Sequence, residues 1–320
     1  MGVRPVGVSL GSLSKFFPQH EIEAILRASG REGQRRRKLP ALDLMYYLIA
    51  LGLHASEGCR SVLRRVLLRR HEQENDDLER LCTDSAITQG RSRLGWQPLR
   101  ALYEVVVRPI ATRSSVGAWY RKWRLVTLDG STLDVADTKR NERAFGRPGS
   151  ARGKSGFPQL RFVTLLENGT HVLFGAELGR YDTGEVTLAK KVVTRLPADA
   201  LCLADRNFFS YSLWNEALKS GAALLWRVRV DLILPKLKRL SDGSYLTKIY
   251  PSPHARARDR GGVAARLITY RLGKQRQEYR LLCSIMDPRK APAIQLANLY
   301  GRRWTIETVL GELKDRKSVV

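Results

Sequence analysis

The spacing of hydrophobic residues changes near residue 120, from a helical period to one typical of strands. Between about residues 10 and 112, apolar positions recur at helical spacing. The longest apolar run extends from Leu39 to Leu53 with a proline at its second position, which predicts a buried helix. Residues 58–70 alternate apolar side chains with arginines, as in an amphipathic helix with a basic flank. These patterns predict a helical N-terminal domain over residues 1–120.

A further N-terminal helix is predicted over residues 86–94, because Thr83 begins a cluster of residues that cap helix N-termini. This helix carries Arg91 and Arg93. A small helical domain with basic faces could dock on DNA, in the manner of a helix-turn-helix protein. The alternative is an ordinary helical bundle with an arginine-rich surface. The basic run at residues 35–38 allows either phosphate contact or a solvated loop.

Beyond residue 120, short strand-like runs alternate with helical segments, which predicts a mixed α/β domain over residues 121–320 (α+β for the whole chain). Residues 124–128 and 200–204 are apolar, strand-like runs, and each is followed by an aspartate. The Asn-Gly pair at 168 and 169 predicts a hairpin between two apolar runs. Residues from about 232 to 283 have short alternating runs and turn signals, which predict a β-rich insertion.

The net charge changes the range of possible partners. The formal charge is +25 and the isoelectric point is about 10.4, which favours a polyanion and, above all, double-stranded DNA. We expect no membrane association, since no apolar run reaches the roughly 18 residues of a membrane span and the N-terminus lacks a signal-peptide pattern.

The cysteines do not indicate a metal site or a disulfide framework. Cys59, Cys82, Cys202 and Cys283 are widely separated, and the five histidines form no cluster. Structural zinc is therefore not expected, and free thiols in a reducing compartment are the simplest interpretation. We expect a cytoplasmic bacterial protein that associates with the nucleoid when bound to DNA.

The two aspartates that follow the strand-like runs are candidates for metal chemistry. Asp129 and Asp205 are each the first polar residue after an apolar strand, where active-site residues often lie. Together with a carboxylate from a packed helix, they could hold two Mg²⁺ or Mn²⁺ ions roughly 3.5–4 Å apart. Taken singly, each aspartate could instead cap a turn or a helix. Asp134, Asp137 and Asn141 compete for the same role.

The last helical segment carries the candidate third carboxylate. At about 100° per residue, Tyr300, Arg303, Glu307 and Lys314 fall on one side of a helix. Ile306, Leu310 and Leu313 fall on the opposite side and form a possible core stripe. The basic neighbours favour an ionised Glu307, which suits a metal ligand better than a general acid. A solvated helix face with an Arg303–Glu307 ion pair is the alternative.

Taken together, these motifs resemble those of DDE transposases of the insertion-sequence-four family, and the resemblance covers most of the chain. The residues that carry it are Asp129-Gly-Ser-Thr132 with Asp137 and Asn141, Ala204-Asp205-Arg206-Asn-Phe208, the spacing Tyr-x₂-Arg-x₃-Glu-x₆-Lys from Tyr300 to Lys314, and Arg36-Arg-Lys-Leu-Pro40.

The resemblance implies a ribonuclease-H-like catalytic core that is interrupted by the β-rich insertion. It implies that Asp129, Asp205 and Glu307 bind the metal ions and that the other three residues of the last motif, Tyr300, Arg303 and Lys314, contact DNA at the transposon end. The implied reaction is hydrolytic nicking, followed by attack of the free 3′-OH on a second strand. Family members act as dimers in a synaptic complex and commonly form a hairpin intermediate. Trp304, Trp214 or Trp226 could stack on an extruded base, although core packing is the alternative for each.

The chain ends six residues after Lys314, whereas family members usually continue well beyond it. This indicates a truncated transposase. We expect Leu310 and Leu313 to lack packing partners, Glu307 to be held loosely and activity to be weak or absent. Two further functions stay open: a metal-dependent nuclease on the same scaffold, and a non-catalytic remnant that binds transposon ends.

Overall fold

A computed structural model describes residues 10–33, 39–54, 57–70, 83–150, 153–154, 156–272 and 277–315. The basic run at residues 35–38 and Cys82 lie outside these ranges. The described chain forms two compact units, one extending to Val107 and the other spanning Arg108–Lys314. Cys59, Cys202 and Cys283 are free thiols. Among the described residues, no helix has the length and apolar character needed to cross a membrane.

The first unit is helical, as its hydrophobic period predicts. The apolar run after Pro40 forms a largely buried helix, and the side chain of Thr83 accepts the N–H of Ala86 at 3.2 Å as an N-cap. Its described helices are α1 (Leu10–Phe16), α2 (Gln19–Ala28), α3 (Ala41–Leu53), α4 (Cys59–Arg70), α5 (Asp84–Leu94) and α6 (Gln97–Val106).

Helices α3 and α5 approach closely in this unit. A β-carbon at Gly90 of α5 would lie 2.8 Å from Cδ1 of Leu44 on α3, so the contact requires glycine or a shift of that leucine. Around it, Tyr46, Tyr47 and Val62 are among the residues that form a continuous buried cluster. The unit therefore has its own hydrophobic core.

The second unit is built on a mixed sheet. Its described strands are β1 (Trp119–Tyr120), β2 (Trp123–Asp134), β3 (Gly149–Ser150), β4 (Gly153–Lys154), β5 (Gln159–Glu167), β6 (Val172–Arg180), β7 (Ala200–Ala204), β8 (Ala223–Val228), β9 (Lys238–Arg239), β10 (Tyr245–Ile249), β11 (Val263–Leu272) and β12 (Gln277–Cys283).

The helices of this unit connect the strands or follow the sheet. Those described are α7 (Lys139–Phe145), α8 (Glu185–Val192), α9 (Tyr211–Leu218), α10 (Pro253–Ala257), α11 (Ala293–Tyr300) and α12 (Thr305–Asp315), with 3₁₀ turns at Val193–Arg195 and Gly301–Trp304.

The strand order is that of a ribonuclease-H-like core. The main sheet runs β6-β5-β2-β7-β8, with β5 and β6 antiparallel to their neighbours and β2, β7 and β8 parallel. Every residue of β7 is buried, as expected for a central parallel strand covered on both faces. The β5–β6 hairpin confirms the turn predicted at residues 168–169. The fold predicted from the chain is thus the fold observed.

The β-rich segment extends the same sheet. Strand β12 pairs antiparallel with β8, and β11, β10 and β9 follow in order. Within it, the buried Arg266 pairs with Asp242 and donates to the carbonyl of Ala291 at 2.7 Å. Asp242 also accepts the N–H of Ala293, the first residue of α11, at 2.7 Å. The insertion therefore fixes the start of the helix that leads to Tyr300.

The units divide at Val107 and Arg108, before the boundary predicted at residues 120 and 121. The connecting residues belong to the second unit because Glu167, at the end of β5, binds them. Its carboxylate accepts the N–H groups of Ile110 and Ala111 at 3.0 and 2.9 Å and pairs with Arg124. Burial alone would raise the pKa of Glu167, but these donors and the Thr170 hydroxyl outweigh burial and lower it.

Candidate active site

The two candidate aspartates lie side by side because of the register of two parallel strands. Leu128 of β2 is paired with Ala204 of β7, so Asp129 and Asp205 follow at the same level. Strand β7 ends at this point. Strand β2 continues to Asp134 along β5, where Asp129 pairs with Thr164. The prediction that Asp129 ends its strand is therefore wrong, since backbone pairing with β5 extends β2 beyond the apolar run.

Asp129 is a largely buried carboxyl group. Its side chain is 18% exposed and accepts the N–H of Gly130 at 2.8 Å. Burial raises its pKa to about 6, although the Gly130 N–H and the charge of Arg303 act in the opposite direction. A further positive charge beside Asp129 would therefore still stabilise its ionised form.

Arg303 lies between two of the candidate carboxylates. Its Nη1 is 3.3 Å from Oδ2 of Asp129, and its Nη2 is 3.0 Å from Oε1 of Glu307. The side chain of Arg303 is 7% exposed, whereas that of Glu307 is 46% exposed. One guanidinium group thus joins an aspartate on the sheet to a glutamate on α12.

The predicted single helix from Tyr300 to Lys314 is interrupted. Helix α11 ends at Tyr300, a 3₁₀ turn covers Gly301–Trp304, and α12 begins at Thr305. A 3₁₀ turn has 3.0 residues per turn rather than 3.6, so the prediction of one continuous helix is wrong. Arg303 nevertheless contacts Glu307 across the junction. Tyr300 and Arg303 are buried, whereas Lys314 is exposed on α12.

Asp205 has a different set of neighbours. The hydroxyl of Tyr300 lies 3.2 Å from the carbonyl oxygen of Ala204 and 3.5 Å from Oδ1 of Asp205. Nη1 of Arg227 lies 3.8 Å from the same Oδ1. Burial strongly raises the pKa of Tyr300, so its phenol keeps its proton and donates to the end of β7. Contact of Tyr300 with a phosphate would require it to leave this position.

Helix α12 is held against the sheet by its apolar stripe. Ile306, Val309 and Leu310 are buried in one cluster with Phe162 and Leu166 of β5. The expectation that Leu310 lacks packing is wrong, because β5 itself provides the apolar surface. Leu313 lies on the same side of α12, nearer its C-terminal end, and is 37% exposed. Glu307 therefore projects from a helix that is anchored one residue before it and two residues after it.

The competing polar residues after Asp129 have local partners. Asp134 is exposed and accepts a hydrogen bond from Gln159 at 2.7 Å. Asp137 pairs with Arg147. The side chain of Asn141 donates to the carbonyl of Ala136 at 2.9 Å. Each of the three residues therefore has a local structural contact.

Arg227 is a site residue that was not predicted from the sequence. It follows Trp226 on β8, and Trp226 pairs with Ala204, so Arg227 lies level with Asp205. Its guanidinium stacks on the ring of Tyr279, 4.4 Å from the ring centroid. The signal was available, since Arg227 is a charged residue in an otherwise apolar strand, at the position that corresponds to Asp205 on the neighbouring strand.

The three candidate stacking tryptophans separate into two groups. Trp214 and Trp226 are fully buried and pack edge to face with their ring centroids 5.3 Å apart, so they are core residues. Trp304 is 59% exposed, and the guanidinium carbon of Arg303 lies 5.0 Å from its ring centroid. Trp304 alone of these three could offer a ring face to a base.

The three candidate carboxylates have the chemistry that a divalent cation requires of its ligands. Asp129, Asp205 and Glu307 offer carboxylate oxygens, the donors that Mg²⁺ and Mn²⁺ prefer. A cationic group, the guanidinium of Arg303, already lies between two of them. Within the part of the chain that the structure describes, no group of three or more His, Cys, Asp or Glu side chains is close enough to hold an ion. A metal site would therefore require the carboxylates to converge.

A ribonuclease-H-like sheet, with aspartates at the same level on β2 and just after β7 and a glutamate on a helix packed beside β5, has the arrangement of a DDE transposase. The family model described as "Transposase DDE domain" matches residues 121–318, and that described as "Insertion element 4 transposase N-terminal" matches residues 7–104. The chain belongs to the insertion-element-4 family of DDE transposases.

Two curated relatives from Escherichia coli (strain K12) are similar to the chain. One is the transposase InsG for insertion sequence element IS4, 26% identical over 310 residues, which are 95% of this chain and 68% of the relative. The other is the putative transposase InsZ, 24% identical over 229 residues, which are 71% of this chain and 72% of the relative.

Proposed function

We propose that this protein binds the double-stranded ends of a transposable element, cleaves them in a metal-dependent reaction and joins the free 3′-OH to target DNA. Asp129, Asp205 and Glu307 are the catalytic and metal-binding residues of this proposal. Membership of the transposase family supports the overall reaction.

The observation that carries the proposal is the pair of contacts that link candidate residues from distant parts of the chain. The β2–β7 register aligns Asp129 with Asp205, and Arg303 connects Asp129 to Glu307. Carboxylates are costly to bury unless they are paired. The pairing of the buried Asp129 with the guanidinium of Arg303 supports a site that attracts cations.

Asp129, Asp205 and Glu307 would hold two Mg²⁺ or Mn²⁺ ions, which would activate the attacking oxygen and stabilise the leaving oxygen of a phosphodiester. Asp129, being buried, would orient its carboxylate from the rigid sheet. Glu307, being half exposed, can adjust its side chain as the site assembles. Arg227 would balance the charge of Asp205, at 3.8 Å, in the absence of metal.

Lys314 and Arg303 would contact phosphates at the element end, as arginine and lysine commonly do. Tyr300 would enter that contact only after leaving the carbonyl of Ala204. The exposed ring of Trp304 would stack on an extruded base if the reaction passes through a hairpin. The synaptic complex would contain two copies of the chain, and the protein would act in the cytoplasm on the bacterial nucleoid.

The helical first unit would add to end binding. Its described basic residues include Arg64, Arg91 and Arg93, of which the first two are exposed. Two other arginines of this unit are engaged: Arg60 pairs with Asp84, and Arg65 pairs with Glu57 at 3.0 Å. Among the described arginines of this unit, Arg64 and Arg91 would therefore be the first candidates for phosphate contact.

The proposal is tested with duplexes taken from the DNA that flanks the coding region. We expect a gel shift with or without EDTA, and strand cleavage and joining only with Mg²⁺ or Mn²⁺. Cleavage without joining to a target would identify a metal-dependent nuclease instead. A shift without cleavage in either metal would identify a non-catalytic end-binding protein.

A further inference from the structure

Arg303 has the environment of a counter-ion rather than of a surface residue. It is buried, and its two terminal nitrogens contact the carboxylates of Asp129 and Glu307 at 3.3 and 3.0 Å. A guanidinium keeps its charge at all relevant pH values. The positive charge between these two carboxylates is therefore permanent as long as the side chain stays there.

The fit of Arg303 in this position is incomplete. Its Nε is buried and has no hydrogen-bond partner among the described residues. A buried donor without a partner lowers the stability of the arrangement. Burial also costs the charged group its hydration, but the acidic and phenolic groups around it outweigh this cost and raise its pKa. The Nε atom without a partner is what gives Arg303 a physical reason to exchange these contacts for others.

Arg303 and a metal ion exclude each other from this position. Divalent cations such as Mg²⁺ bind oxygen ligands at about 2.0–2.1 Å, so the carboxylates must approach one another closely. A guanidinium that lies between them keeps them apart and repels a second cation. Metal binding by Asp129 and Glu307 thus requires Arg303 to move away.

We propose that, in the DNA-free protein, Arg303 takes the place of a metal ion between Asp129 and Glu307 and so weakens metal binding until a DNA phosphate draws it away. This inference rests on the proposed function, because it assumes that these carboxylates are metal ligands. Arginine pairs well with phosphate oxygens, so a backbone phosphate is a suitable new partner. The carboxylates then become available when DNA is present.

This exchange makes DNA binding and metal binding cooperative. A phosphate that binds Arg303 removes the competitor of the metal, and a metal that binds the carboxylates releases Arg303 for the phosphate. The two effects are equal in size, because coupling between binding sites is reciprocal. The protein would then hold a reactive metal mainly on DNA.

The test measures Mn²⁺ binding by electron paramagnetic resonance of free Mn²⁺, with the full chain and no DNA. We expect Arg303→Gln to bind Mn²⁺ at least about tenfold more tightly than the unsubstituted protein, since a competing buried cation is removed. Arg302→Gln is the matched control, because Arg302 is the exposed neighbour on the same turn. It should bind Mn²⁺ as the unsubstituted protein does.

A second arm adds a short duplex, after subtraction of the Mn²⁺ that the duplex binds alone. The duplex should tighten Mn²⁺ binding by the unsubstituted protein and leave Arg303→Gln unchanged. Circular dichroism checks the fold of each variant. If Arg303→Gln is destabilised, Mn²⁺ should raise its melting temperature more than that of the unsubstituted protein, which serves as an independent measurement.

Two failures are distinguishable. If Asp129→Asn weakens Mn²⁺ binding but Arg303→Gln does not tighten it, the carboxylates bind metal and the role of Arg303 is wrong. If neither Asp129→Asn nor Glu307→Gln weakens Mn²⁺ binding in the Arg303→Gln background, the metal site of the proposed function is itself wrong, and the inference falls with it.

Discussion

At the residue scale, Asp129 is a buried carboxyl group that lies beside the cationic side chain of Arg303. Its pKa of about 6 lies above that of an unfolded aspartate because burial disfavours the charged form. The folded protein therefore binds this proton more tightly than the unfolded chain. The stability that this group contributes is fully present below about pH 4 and is lost as pH rises through about 6.

The first prediction follows from the upward shift of the pKa of Asp129. In EDTA, Asp129→Asn should gain stability relative to the unsubstituted protein on going from about pH 4.5 to about pH 7.5, by about 2 kcal/mol. Urea unfolding at the two pH values measures the difference. Asp134→Asn, at the exposed end of the same strand, should show little change. Equal effects of Asp129→Asn at both pH values would show that Asp129 is not held in a desolvated position.

At the element scale, α12 determines whether Glu307 can be positioned. The helix is anchored by Leu310 and its buried neighbours against β5. We predict that Leu310→Ala destabilises the second unit by about 2–5 kcal/mol, because it removes buried methyl groups and leaves a cavity. Leu313→Ala makes the same chemical change on the same helix at an exposed position, and should cost about 1 kcal/mol or less. Urea unfolding and amide exchange across residues 305–315 measure both, and equal effects would contradict this packing.

The elements also show what the sequence could predict and what it could not. Apolar runs predicted β7 and the adjacent position of Asp205, because central parallel strands are apolar along their whole length. The extension of β2 past Asp129 depends on hydrogen bonds to β5, which the residues after Gly130 do not signal locally. The 3₁₀ turn before Thr305 could not be predicted either, because α and 3₁₀ turns share the same residue preferences. The position of Arg303 between Asp129 and Glu307 depends on that turn.

At the scale of the whole molecule, the net charge of +25 favours electrostatic binding to DNA phosphates. We predict that DNA affinity falls steeply with salt, with a log–log slope of about 0.9 per phosphate neutralised. Lys314→Ala should make the slope about one unit shallower. Lys219→Ala is the control, since Lys219 pairs with Glu216 at 2.7 Å, and it should leave the slope unchanged. Fluorescence anisotropy at several salt concentrations gives the slopes, and a salt-independent affinity would exclude phosphate contact.

The central claim is that Asp129, Asp205 and Glu307 together form one metal-dependent cleavage site. It is tested most directly by cleavage of element-end DNA in Mg²⁺ with Asp129→Asn, Asp205→Asn and Glu307→Gln, beside Asp134→Asn as the matched control. Each of the first three variants should lose cleavage by at least about a hundredfold while still shifting the DNA, since each removes a ligand of the same ions. Asp134→Asn should cleave as the unsubstituted protein does. Cleavage at the unsubstituted rate by any of the three would contradict the account.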